Sequence, residues 1–140
     1  MPDLFSLPDL FSLSEVEVLR RVLVPVFGED SAANVRENLS GEVRTAMGLH
    51  IRGETHDRLE HHPRLLEPAI QLLGDGLYAQ QVKVNVKTAF EREAWQWHYD
   101  FATPHREDGV PQPLAVNLHV FLDDVSEFND PLYFIPGSPR

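Results

Sequence analysis

At 140 residues and 42% hydrophobic, the chain is long enough for one domain with a real core, and too apolar for a disordered acidic chain. Its 22 acidic against 12 basic residues give a formal net charge of −10. That balance argues against nucleic-acid or anionic-membrane partners, which reward Lys/Arg clusters, but allows a small anion held by one or two cations. The absence of cysteine excludes disulfides, thiolate chemistry and zinc ribbons.

The N-terminal "MPDLFSLPDL" has neither the basic start nor the apolar stretch of a secretion signal, and no apolar run approaches membrane-spanning length. A cytoplasmic protein is the expectation. "PDLFSL" at 2–7 recurs at 8–13, a local duplication too short for a solenoid unit, with the second copy expected in structural register. "SEVE" at 14–17 has the form of a capping box, with Ser14 serving the amides and Glu17 reaching back. Val18, Leu19, Val22 and Leu23 follow at helical spacing, and Pro25 is expected to end the helix. The polar stretch 28–42 reads as loop with a short helical piece. "VRTAMGLHI" (43–51) reads as a strand weakened by Gly48. "HPRLLEPAIQLLGDG" carries a helix that Pro68 kinks or divides and that Gly74 and Gly76 stop.

The clearest strand is "QVKVNVK" (81–87). Val82, Val84 and Val86 alternate with Gln81, Lys83, Asn85 and Lys87, which suits a half-exposed strand or the lining of a pocket. "LAVNLHVFLDD" (114–124) reads as a second strand, carrying Asn117 and His119, and "PLYFI" (131–135) as a third. The span 91–113 is a long, Trp- and Pro-rich connection, the kind that in compact domains is usually functional. Helices first and strands after give an α+β, mainly β, order in a single domain, 1–140, helical over about 14–75 and β over about 77–136.

Of seven histidines, His61 and His62 precede Pro63 in charged surroundings and read as surface. His56 beside Asp57 reads as solvated. His50 has no carboxylate at useful spacing, His119 reads as a core or pocket histidine, and His105 with Glu107 as a loop pair. His98 and Asp100 differ by context, lying in the aromatic loop "QWHYDF". On one side of an extended segment they supply two adjacent corners of a metal shell. Taken alone the H-x-D spacing is a weak signal, and a surface turn accounts for it equally well.

The surrounding stretches "YAQQVKVNVKTAF", "WQWHYDFATPHREDGVP" and "VNLHVFLDDVSEFNDPLYFIPGS" resemble the phytanoyl-CoA dioxygenase family of iron(II)/2-oxoglutarate-dependent oxygenases. Within it they are most similar to ectoine hydroxylases and bacterial free-proline hydroxylases. The resemblance implies a double-stranded β-helix, a cupin-like jelly roll flanked by N-terminal helices. It implies Fe(II) as cofactor, 2-oxoglutarate as co-substrate, and hydroxylation of a small molecule. By position, His98 and Asp100 match the first two iron ligands. Gln81 and Asn85 match strand positions facing the 2-oxoglutarate pocket. Lys83 falls where the family often has a basic residue, Thr103 where some members contact the co-substrate, and Asn117 is a looser match. Asp100 also implies hydroxylation rather than halogenation, since halogenases of this kind carry a small residue there.

Four departures qualify the resemblance. Pro104 stands where such hydroxylases carry a tryptophan at the substrate site, and Leu114 where ectoine hydroxylases carry an arginine. "NDPL" replaces N-G-P-L, putting Asp130 in a glycine position. "PGSPR" replaces P-G-S-H at the end of the given sequence, so the family's distal histidine and its 2-oxoglutarate-gripping arginine have no match in these residues. The expectation is therefore an incomplete jelly roll with unpaired strand edges and a tendency to self-associate, unable to turn over alone. The contrasting expectation is a non-catalytic remnant or binding module.

Overall fold

The computed structural model describes residues 4–87, 97–98, 109, 114–127, 129 and 131–135. Helix α1 spans Leu13–Gly28, and its capping box is built from Ser12 and Glu15 rather than Ser14 and Glu17. The Glu15 amide donates to Ser12 Oγ at 3.3 Å, and the Ser12 amide donates to Glu15 Oε2 at 2.7 Å. Each bond satisfies an amide that the first turn leaves without a helical partner. Ser12 belongs to the second "PDLFSL" copy, and so does Phe11, which packs edge-on against His62 with ring centroids 5.5 Å apart. The second copy is thus the one docked on the fold. The buried stripe of α1 is Leu19, Leu23 and Val26.

Pro25 lies inside α1 and does not end it. A proline there removes one backbone donor and crowds the preceding turn. The last turn persists because side chains from elsewhere take up its free carbonyls. Asn34 Nδ2 donates to the Val26 carbonyl at 2.7 Å and to the Glu29 carbonyl at 3.1 Å. Arg36 donates to the carbonyls of Phe27 and Glu29, and Arg52 to that of Val26. Two guanidinium groups at a helix C-terminus also complement its dipole. Arg52 further pairs with Glu29 Oε2 at 2.7 Å and donates to Asn34 Oδ1 at 2.9 Å.

The residues that do this sealing sit on a short strand, β1 (Asn34–Arg36), in the stretch expected to be loop or helix. With β2 (Val43–Met47) and β3 (Lys83–Asn85) it forms an antiparallel three-stranded sheet of order β1-β2-β3. Asn34 pairs with Ala46 and Val35 with Thr45, but Arg36 pairs with Val43, leaving Arg44 as the extra residue of a bulge. The bulge resets the side-chain alternation, which is why Val43 and Ala46, three apart, reach the same core. That core joins Leu23, Val26, Val43, Ala46 and Leu49, with Phe27, Val82, Val84 and Leu122 packed against it.

Strand β2 ends at Gly48, whose φ of 65° is in the left-handed region. A single 3-10 turn, Leu49–Ile51, follows, so the expected strand over 43–51 stops at Met47. A second helix, α2 (Glu54–Glu60), occupies a stretch with no apolar periodicity, and its buried residue is His56, 4% exposed, not solvated. Helix α3 (Pro63–Leu73) has Pro63 in its first turn and His62 as N-cap, its side chain accepting from the Arg64 amide. It runs through Pro68 as one helix and is followed by Gly74 and Gly76, both at positive φ.

The expected strands 114–124 and 131–135 have no ladder among the described residues. Residues Leu122 and Asp123 are instead held to α1 by Arg20, which donates to the Leu122 carbonyl and pairs with the Asp123 carboxylate, each at 2.6 Å. Among the described residues no helix is long and apolar enough to cross a membrane.

Candidate functional site

The three-stranded sheet has two unlike faces. Ala46 and Val84 are cross-strand partners on the face packed against α1, with Val82 beside them. The opposite face carries Thr45 paired with Asn85, and Met47 paired with Lys83. Alternation in "QVKVNVK" holds through Val86: Val82, Val84 and Val86 are half-buried and Gln81, Lys83 and Asn85 exposed, while Lys87, expected on the exposed face, is half-buried. The regular ladder covers Lys83–Asn85 alone, shorter than the expected 81–87.

On this polar face the Asn85 side chain is fixed. Thr45 Oγ1 donates to Asn85 Oδ1 at 3.0 Å, and Thr45 itself is only 8% exposed. With the carbonyl end of the carboxamide engaged, its NH2 end is left as a donor pair. The ammonium of Lys83 lies on the same face, its Cα about 7 Å along the strand. Two N–H donors and a cation on one exposed strip suit a carboxylate ligand. Thr45 was not among the residues the sequence singled out. The available signal was a hydroxyl in an otherwise apolar strand, which needs a partner when buried.

The other candidates are placed less fully. His98 is exposed, and Trp97 beside it is 69% exposed. Asn117 is exposed, as is His119, against the expectation of a core or pocket histidine. Asp100, Thr103 and His105 lie outside the described residues. Among the described residues no three His, Cys, Asp or Glu side chains group closely enough to hold a metal ion.

A separate set of titratable groups gathers around α2. His50 Nδ1 lies 4.0 Å from Glu60 Oε2, a carboxylate that sequence spacing had not suggested. Neither ring nitrogen of buried His56 meets a hydrogen-bond partner among the described residues. Burial, and after it the nearby Arg52 charge, pushes the His56 imidazole below its ordinary 6.5.

Residues 6–140 match the profile of the family described as phytanoyl-CoA dioxygenase (PhyH). The chain belongs to that family. It is 45% identical over 132 residues to an L-proline trans-4-hydroxylase from Streptomyces griseoviridis, covering 94% of this chain and 49% of that protein. It is 35% identical over 137 residues to the ectoine dioxygenase of Halomonas elongata, covering 95% and 41%. Among solved structures, EctD from S. alaskensis with 2-oxoglutarate and 5-hydroxyectoine aligns with a TM-score of 0.70 at 34% identity, over 76% of this chain and 39% of that one. The same enzyme with bound Fe aligns at 0.65 and 33% identity, over 71% and 37%. This phytanoyl-CoA dioxygenase family chain thus spans about half, or less, of the length of these curated relatives.

Proposed function

We propose that the chain is part of an iron(II)/2-oxoglutarate-dependent hydroxylase acting on a small amino-acid-like molecule. The observation that carries this is the 45% identity to a proline hydroxylase across 94% of the chain. In this reading His98 and Asp100 bind Fe(II), and Gln81, Lys83, Asn85, Thr103 and Asn117 contact 2-oxoglutarate. The chain is one domain and its sheet is a portion of a jelly roll, working in the cytoplasm and inclined to self-associate through open strand edges.

The residues present suit these groups. An imidazole and a carboxylate two positions apart are hard and borderline donors of the kind iron(II) takes up, with other positions left for co-substrate. The Asn85 amide, its oxygen tied to Thr45, offers hydrogens to a carboxylate, and Lys83 offers charge. When bound, the iron would supply dioxygen activation, with O2 as the oxidant and 2-oxoglutarate, decarboxylated to succinate, giving two of the electrons, for hydroxylating an unactivated C–H bond. The chain's share is to hold the co-substrate and metal in one geometry and to place the substrate against them. Leu114, where ectoine hydroxylases carry an arginine, and Pro104, where such hydroxylases carry a tryptophan at the substrate site, favour a substrate other than ectoine. A free cyclic imino acid such as proline is the first to test.

Anaerobic Fe(II) titration followed by tryptophan fluorescence, with Trp97 next in sequence to His98, tests the metal assignment. Saturable quenching is expected in the native chain and is lost in His98→Ala and in Asp100→Ala. Unchanged affinity in His98→Ala removes the site. Succinate formation from 2-oxoglutarate is not expected from these 140 residues alone, since the third ligand and the distal-carboxylate arginine of the resemblance have no match in them.

A further inference from the structure

We infer that Thr45 is a positioning residue, one that sets which end of the Asn85 carboxamide faces a bound 2-oxoglutarate carboxylate. The inference rests on the proposed role of Asn85 as a co-substrate contact. Thr45 occupies the central strand and is 8% exposed. Its cross-strand neighbours are Val35 on one side and Asn85 on the other. Valine has nearly the shape of threonine and would fill the same volume without the hydroxyl. A hydroxyl at such a position is costly unless bonded, and its partner at 3.0 Å is Asn85 Oδ1.

That bond has a chemical consequence for a ligand. A carboxamide presents a carbonyl oxygen at one end and two N–H donors at the other. An anion is attracted by the second and repelled by the first. With no donor on Oδ1 the amide turns freely, and part of its population offers oxygen to the anion. Thr45 is held on both sides by the sheet, which makes it a stiff anchor for that choice. Asn85 is exposed, so packing around it does little to fix the amide. Thr45 therefore acts through Asn85 and touches no ligand itself.

Calorimetric titration of 2-oxoglutarate into the Mn(II)-loaded chain tests this with Thr45→Val, Thr45→Ser, Asn85→Ala and the double variant Thr45→Val/Asn85→Ala. Asn85→Ala is expected to weaken binding about tenfold and Thr45→Val about fivefold, the scale of one hydrogen bond. Thr45→Ser restores the donor and binds within about twofold of the native chain. The double variant binds no more weakly than Asn85→Ala alone, because both changes remove one unit. A purely structural threonine gives neither the serine rescue nor this non-additivity. If Thr45→Val loses the circular dichroism of the native chain, Thr45→Ala replaces it, having no donor for Asn85 Oδ1. Native affinity in a folded Thr45→Val or Thr45→Ala, with Asn85→Ala weakened, overturns the positioning role and leaves the pocket assignment standing. Native affinity in Asn85→Ala, or no binding by the native chain, overturns the pocket assignment and the positioning role with it.

Discussion

Arg64 holds Glu15 across 49 residues of chain, with Nη2 at 2.6 Å from Oε1 and Nη1 at 3.1 Å from Oε2. The same guanidinium lies over the Phe11 ring, 5.0 Å from its centroid. One carboxylate thus closes the capping box of α1 and ties that helix to the start of α3.

This double use makes Glu15 a reporter of acid sensitivity. Its bonds from Arg64 first, then from the Ser12 amide and hydroxyl, lower its pKa from 4.5 to about 2. A depressed carboxylate pKa means that the folded state favours the charged form. Its stabilisation is complete above pH 4.5 and is lost as pH falls toward 2. Glutamine still fits the capping box but does not titrate. Urea midpoints measured from pH 6 to pH 2 should decline less steeply between 4.5 and 2 in Glu15→Gln than in the native chain.

His56 gives a second pH dependence, in a higher window. Its imidazole is held neutral by burial and by Arg52, whereas in the unfolded chain it takes up a proton below pH 6.5. Acidification through 6.5 therefore favours unfolding until the folded-state pKa is reached. His56→Leu removes two buried nitrogens without partners among the described residues and the titration with them. Thermal melts at pH 7.5 and 5.5 should show a smaller acid shift in His56→Leu than in the native chain.

The seal on α1 predicts the effect of Asn34→Ala. The substitution leaves the Glu29 carbonyl without its Asn34 donor and deprives Arg52 of an acceptor. A loss of about 1 kcal/mol in urea unfolding is expected, the scale of a net hydrogen bond, since Arg36 still donates to the Glu29 carbonyl and Arg52 to that of Val26. Arg52→Met should act in the same direction, and the pair should not be additive, since both residues donate to the Val26 carbonyl.

Gly48 tests the turn out of β2. A Cβ there meets nothing closer than the Ile51 side chain at 3.6 Å, so space is adequate, but φ is 65°. Gly48→Ala should cost about 1 to 2 kcal/mol through backbone conformation alone. Gly48→Asn should cost less, asparagine tolerating the left-handed region better, and equal losses for both would contradict a conformational origin.

The sequence made α1, α3 and the alternation of β3 legible because each writes its own pattern. It did not disclose which capping box is used: "SLSEVE" contains Ser12 with Glu15 and Ser14 with Glu17 in the same spacing. The choice falls to Arg64 and Phe11, which meet that end of the helix only in the folded chain. Pro25 fails to end the helix for a related reason, since the donors that keep its turn intact come from Asn34, Arg36 and Arg52. Helix α2 shows no periodicity because the residue it buries is a histidine. A strand is a relation between two segments, so the apolar stretches 114–124 and 131–135 gave half of the condition. At the candidate site, alternation identified Lys83 and Asn85, but the register that brings Thr45 opposite Asn85 cannot be read from either strand alone.

The Arg20 bonds to Leu122 and Asp123 join residues 102 and 103 positions apart. Helix α1 is synthesised before these partners, yet its C-terminal carbonyls wait for Arg52 and its flank for Leu122. During vectorial synthesis it emerges with an unsealed end and an uncovered Leu23 and Val26, long before its partners exist. Closing such distant contacts carries the loop entropy that slows folding. Until synthesis has passed residue 123, the Arg20 flank of α1 therefore stays open to chaperones and proteases.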